Sequence, residues 1–267
     1  MVKCFLTPAE ATLAIAEGGK RILAQPLSRT VVLSLLAGFY IAFGAQLATM
    51  ATFEAASHVG IGVTRFLGGS VFSLGLILVV LCGAELFTGN ILLVKSALHG
   101  SVTWGAILRS WLIVLAGNLA GSLIFVAIMH AADLATIYGP HAVAIAAAKV
   151  KLSFTAAFAR GVLCNWLVCL AVLMATAARD VTGKILACYF PIMAFVASGF
   201  EHSIANMYYI PYGILVNASS SSPVPGLDWT GFLSNIVPVT LGNGAGGIVF
   251  VACAYWFVHL KGESVSP

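Results

Sequence analysis

A short frame of glycine, glutamate and asparagine occurs twice in this chain, each time inside an apolar stretch. The two copies are Gly83–Asn90 (GAELFTGN) and Gly199–Asn206 (GFEHSIAN), both of the form G-x-E-x-x-x-x-N. A carboxylate inside a long apolar segment costs free energy, and at membrane depth it usually marks a functional site. A second frame, G-N-x-x-G-x-x-x-F, begins at Gly117 and again at Gly242. Because both frames recur in the same order, the chain is predicted to contain two duplicated halves.

The composition places these stretches in a lipid bilayer. The 267 residues are 60% hydrophobic and 8% charged, and the mean hydropathy is +1.02, whereas soluble domains carry about 25% charged residues. We therefore expect an all-α polytopic membrane protein surrounded by lipid. The net charge of +4 is small, and it gives no reason to expect a nucleic-acid partner.

Six apolar stretches are long enough to cross a bilayer at about 1.5 Å per helical residue. They are Thr30–Phe53, a stretch from near Phe66 to Ala84, Ser110–Ala132, Gly161–Ala178, Ile185–Asn217 and Trp229–Val258. The second and the fifth contain the two copies of the glutamate frame, so these two helices are predicted to be broken. The segments 54–65 and 133–151 are predicted to be loops.

The segments that flank the spans are short. Thr7, Pro8 and Glu10 form a capping signal, which predicts an amphipathic helix that ends at Pro26 and lies on the membrane face. We expect residues 1–29 to be a cytoplasmic N-terminal segment, residues 30–260 to be a single transmembrane domain, and residues 261–267 to be a cytoplasmic tail. The two repeats are predicted to cover about 30–132 and 153–260.

Positive charges orient the spans, because cytoplasmic segments of membrane proteins carry an excess of Lys and Arg. With the N-terminus inside, nine such residues lie on the inner side and four on the outer side, which predicts that both termini are cytoplasmic. Three spans per half also predict inverted halves whose breaks face each other around one pathway. The four outer cations are either solvated loop charges or residues that draw an anion toward a pore mouth. They are Arg65, Lys149, Lys151 and Arg160.

Polar residues at the breaks have two possible uses. Irregular backbone in a bilayer needs hydrogen-bond partners, and the side chains predicted to brace it are Glu85, Asn90, Glu201, Asn206, Asn118 and Asn243. His202 and Thr88 remain as candidates for holding a small anion or handing it a proton. The alternative for His202 is a packed side chain that bonds Glu201 or a backbone carbonyl.

Large apolar side chains near the breaks are candidates for constrictions above and below the site, although each is also compatible with ordinary helix packing. They are Phe72, Leu76, Leu86, Phe87, Val168 and Phe195. The six cysteines include no C-x-x-C pair, and the spans hold no His or Cys cluster beside His202. We therefore expect neither a metal site nor a cofactor.

Four motifs resemble the formate/nitrite transporter family: Gly83–Asn90, Cys164–Ala171 (CNWLVCLA), Ala197–Met207 (ASGFEHSIANM) and Val239–Asn243 (VTLGN). The resemblance extends from about Thr30 to Leu260. It implies an aquaporin-like fold, a homopentamer in the inner membrane with one pore per protomer, and passage of a small monovalent anion coupled to protons. Members of this family differ in preference among formate, nitrite and hydrosulfide. Here Met207–Pro211 and Ile236–Thr240 favour formate, whereas the short chain favours nitrite.

The resemblance also implies roles for particular residues. His202 is implied to be the central pore histidine, and Thr88 the residue that faces it. Lys149 is implied to lie at the outer vestibule with Asn165 nearby. The outer constriction is implied to consist of Phe72, Leu76 and Phe195. The inner constriction is implied to consist of Leu86, Phe87 and Val168.

Two other classes of function have weaker support. A neutral-solute channel of the aquaporin type needs paired Asn-Pro-Ala loops, and neither Asn90 nor Asn206 is followed by proline. A membrane enzyme that used Glu201 and His202 as an acid/base pair would need a nucleophile or a metal beside them, and the sequence offers neither. The chain is therefore predicted to be a transporter and not an enzyme.

Overall fold

The computed structural model describes residues 4–262, and within this range the chain is almost entirely helical. The helices are α1 (Pro8–Leu23), α2 (Leu27–Thr52), α3 (Ala55–Phe72), α4 (Leu74–Cys82), α5 (Phe87–Asn90), a 3₁₀ turn (Ile91–Leu93), α6 (Val94–Leu98), α7 (Trp104–Ala131), α8 (Ala135–Val150), α9 (Phe154–Ala177), α10 (Val181–Ala197), α11 (Ser203–Ala218), α12 (Trp229–Gly247), a π-helical segment (Ile248–Cys253) and α13 (Ala254–His259). The predicted tail lies mostly outside the described residues.

Five helical stretches in residues 4–262 are long and apolar enough to cross a membrane. They are Leu27–Thr52, Ala55–Cys82, Trp104–Ala131, Phe154–Ala177 and Trp229–His259. The predicted fifth span is divided between α10 and α11, and neither part reaches the length of a full span. The expected polytopic helical architecture is therefore confirmed.

Both segments predicted to be loops are helical, and these two predictions were wrong. The second span begins at Ala55 and not near Phe66, although Gly60 interrupts its helical geometry with a φ of 77°. The segment 133–151 contains α8, which is too short to span a bilayer. α8 is ordered because its small residues, such as Ala142 and Ala146, are buried against α11, where Gly213 leaves room for Ala146.

The N-terminal helix α1 is present with the predicted capping box. Glu10 N–H donates to Thr7 Oγ1 at 3.3 Å, and Thr7 N–H donates to the Glu10 carboxylate at 2.9 Å. Its buried face contacts protein, which differs from the helix predicted to lie on the membrane face. Gly19 sits directly against Ser96 of α6, and Ser101 Oγ donates to the carbonyl of Ala16 at 2.9 Å. The side chains on this face are too small to bury much area in lipid, but they allow close helix contact.

Two helix pairs approach each other closely at glycines, and both pairs include a G-N frame. In α2 and α7, Gly38 faces the backbone of Asn118, and Gly121 faces the backbone of Leu35. In α9 and α12, Gly161 and Gly246 make the corresponding close approaches. A side chain at any of these glycines would collide with backbone of the neighbouring helix, so the contacts hold each asparagine of the G-N frames against the helix beside it.

Candidate functional site

Two helices are interrupted where the glutamate frames predicted. The first break comprises residues 83–86, between α4 and α5, and the second break comprises residues 198–202, between α10 and α11. Gly83 and Gly199 adopt φ values of 75° and 76°, a left-handed conformation that other residues rarely adopt. Gly89, the second glycine of the first frame, lies within α5 instead.

One asparagine from a neighbouring helix bonds the backbone of each break. At the first break, Asn118 Nδ2 donates to the carbonyls of Glu85 (2.9 Å) and Ser34 (2.8 Å), and its Oδ1 accepts the Phe87 N–H at 2.9 Å. At the second break, Asn243 Nδ2 donates to the carbonyl of Glu201 at 2.9 Å. Its other bonds have the same pattern. Nδ2 also donates to the Gly161 carbonyl at 2.8 Å, and Oδ1 accepts the Ser203 N–H at 2.9 Å.

The glutamate of each frame accepts a bond from the asparagine of the same frame. Asn90 Nδ2 donates to Glu85 Oε2 at 2.7 Å, and Asn206 Nδ2 donates to Glu201 Oε2 at 2.6 Å. Both carboxylates are buried, with 7% and 5% of the residue exposed. All six predicted bracing residues therefore lie at the two breaks, but only Asn118 and Asn243 bond the backbone there. The prediction was wrong for the other four, because each glutamate side chain bonds the asparagine side chain of its own frame and leaves the backbone to the neighbouring helix.

A third partner distinguishes the two glutamates. Glu85 accepts a hydrogen bond from the neutral amide of Gln25, whose Nε2 lies 3.0 Å from the Glu85 carboxylate. Glu201 forms an ion pair with Lys149, whose Nζ lies 3.0 Å from Oε1 and 3.1 Å from Oε2. The Lys149 ammonium also lies 5.2 Å from the centroid of the Tyr209 ring, a cation–π contact.

His202 and Thr88 meet between the breaks. His202 caps α11, because its Nδ1 accepts the Ala205 N–H at 3.2 Å, and its Nε2 lies 2.9 Å from Thr88 Oγ1. An Nδ1 that accepts a backbone N–H carries no proton, so the neutral ring has its proton on Nε2 and donates to Thr88. His202 is thus bonded, although to neither Glu201 nor a backbone carbonyl.

A cavity of about 310 Å³ leads to His202. We call it the outer cavity, because its walls include cations that were predicted to lie on the outer side. Its walls include the aromatic side chains Phe72 and Phe195, whose rings meet edge to face with centroids 5.8 Å apart. The Phe195 ring also stacks on His202 at 5.9 Å. The charged side chains in the walls are Arg65, Lys149, Arg160 and Glu201.

A second cavity, of about 440 Å³, is lined by residues of α1 and the first break. We call it the inner cavity, because α1 was predicted to be cytoplasmic. Leu86 and Leu76 both line it, although the resemblance assigned Leu76 to the outer constriction. Phe87 and Val168 are buried and line neither cavity; the Phe87 ring packs on Trp111 at 6.2 Å. No residue lines both cavities, so protein separates them.

Asn165 lies deeper than the outer vestibule. It is fully buried, and its Nδ2 donates to the carbonyls of Thr88 (3.2 Å) and Asn243 (2.7 Å). The residue therefore ties the Thr88 backbone to α12, and it makes no hydrogen bond to Lys149 within the part of the chain that the structure describes.

Two residues at the breaks were not among the predicted site residues. Asn235 accepts from Asn206 Nδ2 at 2.7 Å and donates to the carbonyl of Lys149 at 2.9 Å. Gln25 bonds Glu85. An amide inside the sixth apolar span, which Asn235 shares with Asn243, is a signal for Asn235, whereas Gln25 next to Pro26 resembles any helix end.

The fold and the site together define a class of protein, a helical membrane protein with two polar breaks that meet between two cavities. The chain belongs to the formate/nitrite transporter family, whose model matches residues 9–257. Its relatives are transporters and channels, so the prediction of a multi-pass membrane transporter that is not an enzyme is confirmed.

Individual relatives match over nearly the whole chain. The chain is 42% identical to the probable formate transporter of Methanothermobacter thermautotrophicus, over 98% of this chain and 100% of that protein. It is 37% identical to the formate channel FocA of Escherichia coli strain K12, over 96% of this chain and 95% of that protein. A solved pentameric formate channel with formate bound has a TM-score of 0.80 at 38% identity and covers 88% of this chain and 98% of that chain.

Proposed function

We propose that this protein is a proton-linked channel for small monovalent anions, with formate as its main substrate, and that the protonated acid passes the pore. The observation that carries the proposal is the His202–Thr88 hydrogen bond, which joins the second break to α5, the helix that follows the first break. The relatives named for formate support the choice of substrate. Nitrite and hydrosulfide are the alternatives within the family.

The proposed architecture has six spans in two inverted, aquaporin-like repeats. The duplicated hydrogen bonds of Asn118 and Asn243 support it, because each asparagine bonds the same three kinds of backbone group. We further propose a homopentamer in the inner membrane with both termini in the cytoplasm, and the pentameric relative supports the oligomeric state.

The broken backbone is the scaffold of the proposed pathway. Carbonyl and N–H groups freed by unwinding cost several kcal/mol each in lipid when they lack partners. Asn118 and Asn243 each supply partners to one carbonyl and one N–H at a break. The side-chain bonds of Glu85 with Asn90 and of Glu201 with Asn206 hold the two frames beside them. His202 and Thr88 are thereby held at fixed positions from opposite repeats.

Neutralisation of the anion is the central step of the mechanism. Phe72 and Phe195 on the outer side, and Leu76 and Leu86 on the inner side, offer no polar group to a bare charge, which is expensive at low dielectric. We call the region between these four side chains the apolar zone. A formate ion that accepts a proton becomes formic acid, and this neutral molecule crosses the apolar zone. Formate is released on the inner side when the acid loses its proton to water.

The geometry favours water as the direct source of that proton. For His202 to deliver it as an imidazolium, Nδ1 would have to carry a proton toward the Ala205 N–H, where two donors would oppose each other. A neutral His202 instead directs its Nε2–H toward the pathway and orients the substrate oxygen together with Thr88. The histidine then selects and positions, while a water chain in the outer cavity carries the proton.

Flux measurements in liposomes test the function. Purified protein is reconstituted with a pH dye inside and challenged with formate, nitrite and hydrosulfide in turn. We expect formate to acidify the interior fastest, with a rate that rises as external pH falls. His202→Asn should reduce this rate strongly, because asparagine keeps an N-cap acceptor but lacks the ring N–H, whereas His58→Asn, an exposed outer histidine, should not.

Two outcomes would contradict the proposal. Flux that does not depend on external pH and survives His202→Asn would exclude a neutralisation step at this site. Faster passage of nitrite or hydrosulfide would replace formate as the main substrate. Native mass measurement in detergent tests the pentamer separately, and monomer as the main species would exclude it.

A further inference from the structure

The outer cavity contains more positive charge than its carboxylate can neutralise. Arg65, Lys149 and Arg160 line it together with a single acid, Glu201. Lys149 contacts both oxygens of that carboxylate and lies against the Tyr209 ring. The Glu201 carboxylate therefore neutralises most of the charge of Lys149, and Lys149 contributes little to the electric field that an incoming anion meets.

The two arginines are in a different position. Neither guanidinium of Arg65 or Arg160 makes an ion pair or a side-chain hydrogen bond with another residue in the range 4–262. Arg65 lies on α3 and Arg160 on α9, so the cavity receives one free guanidinium from each repeat. The backbone of Arg160 is fixed to the second break, because its carbonyl accepts the Glu201 N–H at 3.3 Å.

We propose that Arg65 and Arg160 form an outer binding subsite that captures a planar oxyanion before it reaches His202. This inference rests on the proposed function and deepens it. Lys149 has a separate role, which is to hold Glu201 and the second break in place. The arginines provide the net positive charge, so they concentrate the anion at the mouth of the apolar zone.

The chemistry of guanidinium gives the subsite a preference among anions. A planar guanidinium donates two parallel N–H bonds to the two oxygens of a carboxylate such as formate. Nitrite has the same two-oxygen geometry, whereas hydrosulfide offers one acceptor atom and gains only the charge attraction. Both arginines are exposed, so capture is weak and reversible, as a channel requires.

The first experiment measures influx into right-side-out membrane vesicles as a function of external formate. Arg65→Gln and Arg160→Gln should each raise the external KM roughly fivefold, the effect of one unscreened charge at contact distance, without changing the maximal rate. The double variant should exceed either single variant. Lys151→Gln is the matched control, because it removes an outer charge that does not line the cavity.

Substitution by lysine separates charge from geometry. Arg65→Lys and Arg160→Lys keep the charge and lose the planar pair of donors. We expect their KM for formate to stay raised and their KM for hydrosulfide to remain that of the wild type. A KM for formate fully restored by lysine would overturn the two-point geometry, and an unchanged KM in the double glutamine variant would overturn the subsite.

Chemical labelling tests the subsite without a measurement of transport. The wild-type protein is treated with phenylglyoxal with and without formate, and modification is located by mass spectrometry. Formate should protect Arg65 and Arg160 but not Arg179, an exposed arginine outside the cavity. If formate protected both arginines but the protein did not transport formate, the proposed function would be wrong and the subsite would stand. If the protein transported formate but showed neither protection nor a shift in KM, only the subsite would be wrong.

Discussion

The first break and the second break share their backbone hydrogen bonds and differ in their side-chain chemistry. Asn118 and Asn243 make matching sets of three bonds, and Glu85 and Glu201 accept matching bonds from their frame asparagines. The position of His202 in the second frame corresponds to Leu86 in the first, where the side chain is apolar. What is duplicated is therefore the scaffold, and what is not duplicated marks the candidate chemistry.

The electrostatic difference follows the same rule. Glu201 is paired with a cation, Lys149, whereas Glu85 is bonded to a neutral amide, Gln25. The outer cavity also contains two free arginines, while the inner cavity is lined by one cation and one acid, Arg21 and Glu85. An anion thus meets a positive surface on one side of the apolar zone and a nearly neutral one on the other.

The largest expected effect tests the shared scaffold. Asn118→Leu and Asn243→Leu should each lower the free energy of unfolding by about 3 kcal/mol, because each removes three hydrogen bonds to buried backbone at roughly 1 kcal/mol apiece. Thermal unfolding in detergent, followed by tryptophan fluorescence, measures the loss. Asn217→Leu at the end of α11 should cost less, since its two bonds reach the loop at Val224. Similar losses at both breaks are required; tolerance at one alone would mean that the scaffolds are not equivalent.

The second prediction concerns the pair that only the second break has. Lys149→Met leaves the Glu201 carboxylate buried with one remaining side-chain partner, and such a change typically costs about 3–5 kcal/mol. Formate flux should fall at least tenfold. Gln25→Met at the first break removes one hydrogen bond from an uncharged donor to a carboxylate and should cost about 1.5 kcal/mol. Adding Glu201→Gln to Lys149→Met should recover most of the stability, and failure of this rescue would show that Lys149 acts independently of Glu201.

Much of this scaffold could be predicted from the sequence. A glutamate inside an apolar run is costly, so it draws attention by itself, and a repeated frame shows which neighbouring residues belong to the same structure. That is why Glu85, Asn90, Glu201 and Asn206 could be assigned to the breaks, and why the G-N frames led to Asn118 and Asn243. Each of these residues bonds at a break.

The partners from outside the frames could not be predicted. α8 lies in a segment that was predicted to be a loop, and it is helical because it packs against α11, a contact that no local pattern reveals. The same holds for Gln25, whose bond to Glu85 spans 60 positions of the chain. Leu76 was assigned to the outer side by resemblance, while the turn of α4 brings it to the inner cavity.

A third prediction sharpens the comparison at the point where the two breaks meet. Thr88→Val keeps the shape of the side chain and removes the hydroxyl that bonds His202 Nε2. Formate flux should fall roughly tenfold, equivalent to one lost hydrogen bond of about 1.4 kcal/mol, and Thr88→Ser should retain it. Thr176→Val is the control, because Thr176 lines the inner cavity but bonds the carbonyl of Val172 in its own helix. An equal loss in the control would assign the effect to packing.

The smallest effect tests whether the unequal charge at the two breaks sets the affinity at each face. Gln25→Lys would give Glu85 a cationic partner like that of Glu201. The Glu201 carboxylate neutralises most of the charge of Lys149, and Glu85 should neutralise most of the charge of the new lysine in the same way. Formate KM measured from the inner face, in inside-out vesicles, should therefore fall only about twofold, with no change at the outer face. Gln25→Met, which adds no charge, is the control. If Gln25→Lys lowered the inner KM as strongly as the outer arginines are expected to act, a paired lysine would be sufficient to capture an anion, and the distinction between Lys149 and the two arginines would be lost.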